Sequence, residues 1–252
     1  MSIRPPWSYV QARLQARHGE RLTEGDWRAL EGARSLDQFI DRSRATSLRR
    51  FTERLNAGMS SHAIERVLRK GWRDYVAEVT SWSAADWRPA IAWTAPFPDL
   101  PAIDALLKGE APRWAKQDAG LVAFLESERR TALEKSPLKI LLPAPKREQT
   151  LVLRWYAHWR SLWPQGAAQR YALTTLAKTV EAYVARFDRA GPQDVSAPYR
   201  RELAQKITRM FRRHGGTPVA VFCHLALVAL DLERLRGALV RRRLFEPAQE
   251  VA

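Results

Sequence analysis

Residues 218–244 read PVAVFCHLALVALDLERLRGALVRRRL, the longest segment of the chain with a helical pattern of apolar residues. Apolar residues recur in it three and four positions apart, at Leu225, Val228, Leu232, Leu235 and Leu239. That spacing predicts a long α-helix from about residue 219 to 244 whose apolar face packs on another helix. The uncharged run within it, residues 219–230, falls short of the roughly 18–20 residues that a membrane-spanning helix needs, so we expect no span.

Three further segments show the same helical spacing of apolar residues. They contain Ile64, Leu68, Trp72, Tyr75, Val79 and Trp82; Leu151, Trp155, Trp159, Leu162 and Trp163; and Leu173, Leu176, Val180, Tyr183 and Phe187. The first predicts a helix over about 60–82, and the other two, with the closing helix, predict three long helices in the last hundred residues. No segment alternates with period two, so the predicted fold class is all-α.

Short helices are expected near the N-terminus, because capping signatures recur there. Thr23-Glu-Gly-Asp26 and Ser35-Leu-Asp-Gln38 each place a hydroxyl three positions before an acid or amide, as in a capping box. Val10 and Leu14 indicate a helix before them. Ser83-Ala-Ala-Asp86 predicts a further helix start after residue 82.

Prolines divide the chain. Five lie between residues 89 and 112 and three between 137 and 145, with a moderate helix expected between the groups, around Leu121 to Leu133. Since an interior proline breaks a long helix, the proline-rich segments predict short helices and turns. We expect N-terminal helical lobes over 1–134, a linker over 135–146 and a C-terminal lobe of long helices over 147–252. The expected architecture is a multi-lobed assembly of helix bundles.

The charge of the chain is strongly positive and unevenly distributed. Of the net +15, residues 1–94 contribute +5, residues 95–145 contribute none and residues 146–252 contribute +10. Such a field favours acidic proteins, nucleic acid or anionic lipid headgroups as partners, without choosing among them.

No set of residues in the sequence predicts catalysis, a cofactor or a metal site. The five histidines lack metal-binding spacing, and there is no phosphate-binding loop or dinucleotide fingerprint. Cys223 lies in an apolar run, which predicts a buried and inert thiol. A single cysteine fits a reducing compartment, and residues 1–7 lack the apolar run of a signal peptide, so we expect a cytoplasmic protein. Because the catalytic motifs are missing, we expect no enzymatic activity.

The ten tryptophans allow two interpretations. Exposed aromatic rings interleaved with arginine hold single-stranded nucleic acid. Trp72, Trp82, Trp155 and Trp159, however, share the apolar stripes of their helices, which predicts core packing. The positions less constrained by this pattern are Trp7, Trp87, Trp93 and Trp114.

Basic clusters are the candidate partner-binding residues. They are Arg66, Arg69, Lys70 and Arg73 in the helix over 60–82, then Arg209, Arg212 and Arg213, and finally Arg241, Arg242 and Arg243. The last two clusters lie at predicted helix ends, where cations are favoured by the helix dipole whatever the function. The first cluster lies in mid-helix and needs either a partner or nearby acids such as Glu65 and Asp74.

The two ends of the chain carry segments that resemble one known family. These segments are YVQARLQAR at residues 9–17, LTEGDW at 22–27, SLDQFI at 35–40, SHAIERVL at 61–68 and the closing stretch 218–236. The first four are similar to the start, and the last to the closing helix, of the C/d connector subunits of V-type ATPases. The chain is shorter than the usual member, and Gly237 stands where the family often has asparagine.

The resemblance implies a funnel of three similar helix bundles, of which one is trimmed or missing here, with the last helix packed on the first. It also implies a non-catalytic coupling subunit between the central stalk and the membrane ring of a proton- or sodium-translocating ATPase. Its expected partners are the other subunits at the cytoplasmic face of the membrane, with no small-molecule substrate. The alternative is a basic helical nucleic-acid-binding protein, which the charge of residues 146–252 favours.

Overall fold

The computed structural model describes residues 7–110, 113–118, 121–125, 133–135, 137–142, 150–190 and 196–245. These residues form α-helices and short 3-10 helices without any strand, which confirms the all-α prediction. The α-helices are α1 (Trp7–Gly19), α2 (Glu24–Glu31), α3 (Leu36–Arg44), α4 (Arg49–Thr52), α5 (Ser61–Trp82), α6 (Arg88–Ala92), α7 (Leu100–Leu107), α8 (Val122–Leu125), α9 (Leu151–Ser161), α10 (Arg170–Ala190), α11 (Ser196–Arg213) and α12 (Pro218–Phe245). The 3-10 helices are Phe97–Asp99, Arg113–Gln117 and Pro137–Leu141.

The chain divides into two compact units, and the division differs from the expected one. One unit joins the two ends of the chain, Met1–Asp86 with Gln165–Ala252, and the other is Trp87–Pro164. The proline pattern predicted a linker at 135–146, of which residues 136 and 143–146 lie outside the described part of the chain. Prolines mark local breaks between helices, whereas a unit is defined by which distant helices pack together, and proline spacing carries no information on that.

Helix α12 is the centre of the unit built from the chain ends. It contacts α1, α3, α5, α10 and α11. From Pro218 to Leu225 every side chain is buried, because a helix that is apolar all round is stable only when neighbours surround it. Beyond that point burial narrows to one face, and all five residues of the predicted seam, from Leu225 to Leu239, are buried.

Helix α5 is, with α11, one of the two main partners of α12. The side chain of Ser60 accepts a hydrogen bond from the backbone of Ala63 and so caps the helix, as the expected start near residue 60 requires. The predicted stripe from Ile64 to Trp82 is buried throughout. At Gly71 a Cβ atom would lie 3.0 Å from the ring of Phe51, so the absence of a side chain lets α4 approach α5 closely.

The capping predictions hold for two of three signatures. Thr23 and Asp26 form a reciprocal capping box at the start of α2. Ser35 caps α3 through the backbone N–H of Gln38. Ser83 was expected to start a helix, and this is wrong: its hydroxyl donates to the carbonyl of Val79 at 2.9 Å, so Ser83 ends α5 instead of opening α6.

The C-terminal hundred residues contain one long helix more than expected among those described. Helix α11 fills the interval before Gly215, for which no apolar stripe was predicted. Its buried residues Leu203, Ile207 and Phe211 recur every fourth position, but six basic residues dominate the composition of this helix. One apolar residue per turn is therefore enough for this helix to pack its apolar face against α10 and α12.

In the unit Trp87–Pro164, α7 packs against α8 and α9. The indole N–H of Trp93 donates to the carbonyl of Trp155, and the indole N–H of Trp155 donates to the carbonyl of Trp93, both at 3.1 Å. All ten tryptophans of the chain are buried or half-buried, which confirms the core interpretation for Trp72, Trp82, Trp155 and Trp159. Of the helix expected around Leu121 to Leu133, residues 126–132 lie outside the described part.

Within the described ranges, no helix combines the length and the apolar character that crossing a bilayer requires.

Candidate functional site

A cleft in the unit built from the chain ends lies between α11, α12 and the connection from α1 to α2. Its volume is about 460 Å³. Six arginines line it against two carboxylates, Glu24 and Asp231, which leaves an excess of four positive charges. We call it the arginine cleft; its basic residues are Arg21, Arg200, Arg201, Arg209, Arg212 and Arg234.

Helix α11 presents arginines to the cleft because its apolar residues point the other way. Leu203, Ile207 and Phe211 lie on one face and are buried in the unit. The face that lines the cleft carries Arg201, Gln205, Thr208 and Arg212, at intervals of three and four residues. Since residues at such intervals lie above one another on a helix, the amphipathic pattern of α11 by itself orients the basic side chains.

The inner part of the cleft is built on an ion pair between the chain ends. The guanidinium of Arg21 donates to both carboxylate oxygens of Asp231, at 2.7 and 2.9 Å. Both side chains are largely buried, and burial raises the pKa of Asp231 against the opposing effect of Arg21. The same arginine also reaches the carbonyl of Leu227, so it fixes the α1–α2 connection on α12.

Two more arginines of the cleft are paired with acids. Arg234 donates to Glu31 at 2.7 Å and to Glu24 at 2.9 Å, and its guanidinium lies 4.7 Å from the centre of the Trp27 ring. The hydrogen bond from Arg234 lowers the pKa of Glu31. Arg200 donates to Glu233 at 3.0 Å. These contacts neutralise the inner arginines and hold their side chains in one orientation.

The outer arginines of the cleft differ from the inner ones. Arg201, Arg209 and Arg212 are exposed, and within the described residues none of the three forms an ion pair with a carboxylate. Arg212 nevertheless contributes to the local field, because together with burial and Arg21 it lowers the pKa of His18. The outer arginines therefore form a row of cations available to an external anion.

The basic residues that the sequence singled out on α5 lie elsewhere, and acids of the same unit engage two of them. Arg69 is largely buried and lies 3.7 Å from Glu65, which also accepts two hydrogen bonds from Arg236. Lys70 pairs with Asp74 at 2.7 Å. Arg66 and Arg73 are half-buried and also have interactions within the protein. The nearby acids named from the sequence therefore do serve as partners on this helix.

The three arginines at the end of α12 have different surroundings. Arg242 donates to the carbonyls of Glu31 at 2.7 Å, Ala33 at 3.2 Å and Ala238 at 3.1 Å, and it lies over the Phe39 ring. Because the carbonyls at the end of α2 lack helical partners, Arg242 satisfies them and has a structural role. Arg241 and Arg243 are exposed. None of the seven residues that the sequence favoured for partner binding lines the arginine cleft.

The sequence contained one signal for the cleft. Arg209 and Arg212 were recognised as a cluster at a helix end, but Arg201 lies two turns earlier and belongs to the same row only because α11 is a continuous helix. Arg21, Arg200 and Arg234 had no local signal at all, since their acidic partners are distant in the sequence or on other helices.

Two titratable groups of α12, Cys223 and His224, are buried in the core of this unit. Burial raises the pKa of Cys223 to about 12. His224 contacts the hydroxyl of Tyr75 at 2.5 Å. Across the described part of the chain, no three His, Cys, Asp or Glu side chains are grouped in a way that would hold a metal ion.

The chemistry that the site offers is the recognition of negative charge, by guanidinium groups on a preformed helical face. The inner arginines are neutralised by protein carboxylates, and the outer ones form no such pair within the described residues. The chain matches no protein-family model, no curated protein and no solved structure.

Proposed function

We propose that this chain is a non-catalytic coupling subunit of a V-type, ion-translocating rotary ATPase, which links the central stalk to the membrane ring. The observation that carries the proposal is the convergence of the segments that resemble the family of C/d connector subunits. Residues 9–17, 22–27, 35–40 and 61–68 lie in or next to α1, α2, α3 and α5, and residues 218–236 lie in α12. All of them belong to one compact unit, although about 150 residues separate the two groups.

The contacts between these segments support the proposal further. Helix α12 contacts α1, α3 and α5 directly, so the residues that carry the resemblance form a common core. Leu14, Trp27, Phe39, Ile40 and Leu68 are all buried in that unit. The resemblance is confined to the two ends of the chain. Because these ends pack into one unit, the similar residues contribute to the same core, which supports a common origin of the resemblance.

The surface charge agrees with attachment through proteins. A coupling subunit transmits torque by contact and needs complementary surfaces rather than a reaction. The arginine cleft offers such a surface to acidic subunits, with three cations free of internal ion pairs among the described residues. The proposed place of the protein is the cytoplasmic face of the membrane, where it is held by partner subunits.

A second candidate function is binding of nucleic acid, and the excess charge of the arginine cleft is the observation that favours it. The aromatic residues do not add to it. The cleft contains one aromatic side chain, Trp27, and only 2% of its surface is exposed. Base stacking, which supplies much of single-strand affinity, has no exposed ring to use there.

Sedimentation with membranes tests the coupling function. Vesicles that carry the rotary ATPase but have been stripped of its connecting subunit are mixed with the purified chain and sedimented, and vesicles of the same lipid without the ATPase serve as the control. We expect sedimentation with the first vesicles only, together with recovery of ATP-driven ion transport.

Equal sedimentation with both kinds of vesicle would contradict the coupling function. So would sequence-selective nucleic-acid binding at physiological salt without any recruitment to ATPase vesicles. Because phosphate contacts release counterions, such binding would weaken steeply with salt. The association constant would fall roughly tenfold per phosphate contacted for each tenfold increase in salt concentration.

A further inference from the structure

The outer arginines of the cleft form an elongated row. Arg201, Arg209 and Arg212 all line the cleft from α11, and the first and last are eleven positions apart. At 1.5 Å per residue they spread over roughly 16 Å of helix. A single phosphate or carboxylate group cannot contact guanidinium groups at both ends of such a row, so the geometry favours a ligand with several negative charges along its length.

The surface beneath the row is partly apolar. Four apolar residues that are half-buried or exposed line the cleft together with the arginines: Leu22, Ala197, Ala204 and Leu230. An anionic ligand that also carries apolar groups can therefore bury them against these residues while its charges meet the outer arginines. A polypeptide segment with alternating acidic and apolar residues has both properties.

We propose that the arginine cleft binds an acidic segment of a partner protein, which lies along α11 and pairs its carboxylates with Arg201, Arg209 and Arg212. The inference rests on the proposed function only for the statement that the ligand is a protein. A helical segment of about eleven residues, or an extended one of about five, covers the row. Guanidinium groups suit this ligand because their fork of donors matches a carboxylate in a bidentate contact.

The inner ion pairs explain why the outer arginines would carry the recognition. Arg21, Arg200 and Arg234 are already bound to Asp231, Glu233, and Glu24 with Glu31. A ligand carboxylate that approached them would meet protein carboxylates of the same sign. The charge available to a ligand is therefore concentrated on α11.

Fluorescence anisotropy with a defined peptide tests the proposal. The probe is a fluorescein-labelled peptide of about eleven residues, blocked at both ends, with glutamate at every fourth position and leucine and alanine elsewhere. The same peptide with glutamine in place of glutamate is the uncharged probe. We expect the full chain to bind the glutamate peptide and to bind the glutamine peptide at least about tenfold more weakly.

Two sets of variants with equal charge change locate the binding. In the first, Arg201, Arg209 and Arg212 are all replaced by Gln; in the second, Arg34, Arg54 and Lys178, which are exposed and lie outside the cleft, are all replaced by Gln. We expect the first set to weaken binding of the glutamate peptide by about tenfold and the second by about twofold or less. Equal weakening by both sets would overturn the proposal in favour of unspecific charge attraction.

A third variant adds a negative charge in place of removing positive ones. Thr208 lies in the row between the outer arginines, and Thr208→Glu places a carboxylate beside them. We expect it to weaken binding of the glutamate peptide about as much as the triple arginine variant, with an unchanged helical circular dichroism spectrum. Retention of peptide binding by this folded variant would contradict a ligand in the cleft.

Competition identifies the class of ligand. An oligothymidylate of matched charge that displaces the peptide at lower concentration would assign the cleft to nucleic acid, and inorganic tripolyphosphate that does so would assign it to a small anion; either result overturns the proposal. The peptide assay uses the chain alone, so its failure is distinct from a failure of vesicle recruitment. Peptide binding without recruitment would leave the cleft assignment intact and remove the coupling function.

Discussion

Arg21, which follows the first helix, and Asp231, in the middle of the last, form a two-point ion pair with donor–acceptor distances of 2.7 and 2.9 Å. The two residues are separated by 210 positions, and only about one sixth of either side chain is exposed. The pair connects the chain ends at the inner side of the arginine cleft. Because Arg21 also donates to the carbonyl of Leu227, the pair holds the α1–α2 connection against α12.

Removal of the Asp231 charge should be costly. Asp231→Asn keeps the shape of the side chain but leaves the largely buried guanidinium of Arg21 without its counterion, and we expect a loss of about 3 kcal/mol in the free energy of unfolding. Glu233→Gln, on the same helix, disrupts a more exposed pair with Arg200 and should cost less than about 1 kcal/mol. Urea unfolding of both variants measures the difference. Equal losses in the free energy of unfolding would show that the buried Arg21 pair contributes no more to stability than the exposed one.

The buried imidazole of His224 should make folding stability depend on pH. Burial, assisted by nearby positive charges such as Arg21, lowers the pKa of His224 to about 3, against an ordinary value of 6.5. Between these values the unfolded chain binds a proton that the folded chain does not, so stability falls as the pH is lowered from 6.5 towards 3. The slope contributed by this residue is about 1.4 kcal/mol per pH unit at most.

Comparison with His224→Gln isolates that contribution, because the other titrating groups are common to both proteins. We expect the unfolding free energy of the variant to decrease less between pH 6.5 and pH 4.5 than that of the natural chain, by about 2–3 kcal/mol. Glutamine can still hydrogen-bond the Tyr75 hydroxyl, which limits the loss at neutral pH. Parallel pH profiles would contradict the buried neutral state of His224.

The seam of α12 should behave as core. Leu232 is buried, and Leu232→Ala should cost about 2–5 kcal/mol through lost burial and the cavity that remains. Leu244, in the same helix but 63% exposed, provides the control, and Leu244→Ala should cost less than about 0.5 kcal/mol. Thermal or urea unfolding compares the two. A loss below about half a kcal/mol for Leu232→Ala would mean that the seam faces a partner instead of the core.

Replacement of the three consecutive arginines near the end of α12 should affect stability to different extents. Arg242→Gln removes the contacts to the carbonyls of Glu31 and Ala33 at the end of α2, and we expect a loss of about 1–3 kcal/mol in stability. Arg241→Gln and Arg243→Gln change exposed residues and should stay within about 0.5 kcal/mol of the natural chain. Equal and small changes in stability for all three variants would contradict the structural role of Arg242.

The helices were predictable because their signals are local. The apolar stripe of α5, the seam of α12 and the cap at Thr23 each depend on residues within one or two turns of each other. The end of helix α11 near Arg213 was predicted, but its length was not, because its stripe has only one buried residue per turn among many arginines. Ser83 was misassigned because a serine before a possible helix and a serine after a helix look alike when the carbonyl of Val79 is not considered.

The all-α class, the positions of α5 and α12 and the residues with which these two helices face the core were predictable, since helical periodicity encodes them directly. Which charges are satisfied became apparent only from the packing of the helices. Arg69 and Arg242 are engaged within the protein, whereas Arg201, Arg209 and Arg212 form no ion pair with the described carboxylates. An ion pair such as Arg21 with Asp231 joins residues that only packing brings together, and Coulomb attraction depends on distance in space rather than in sequence.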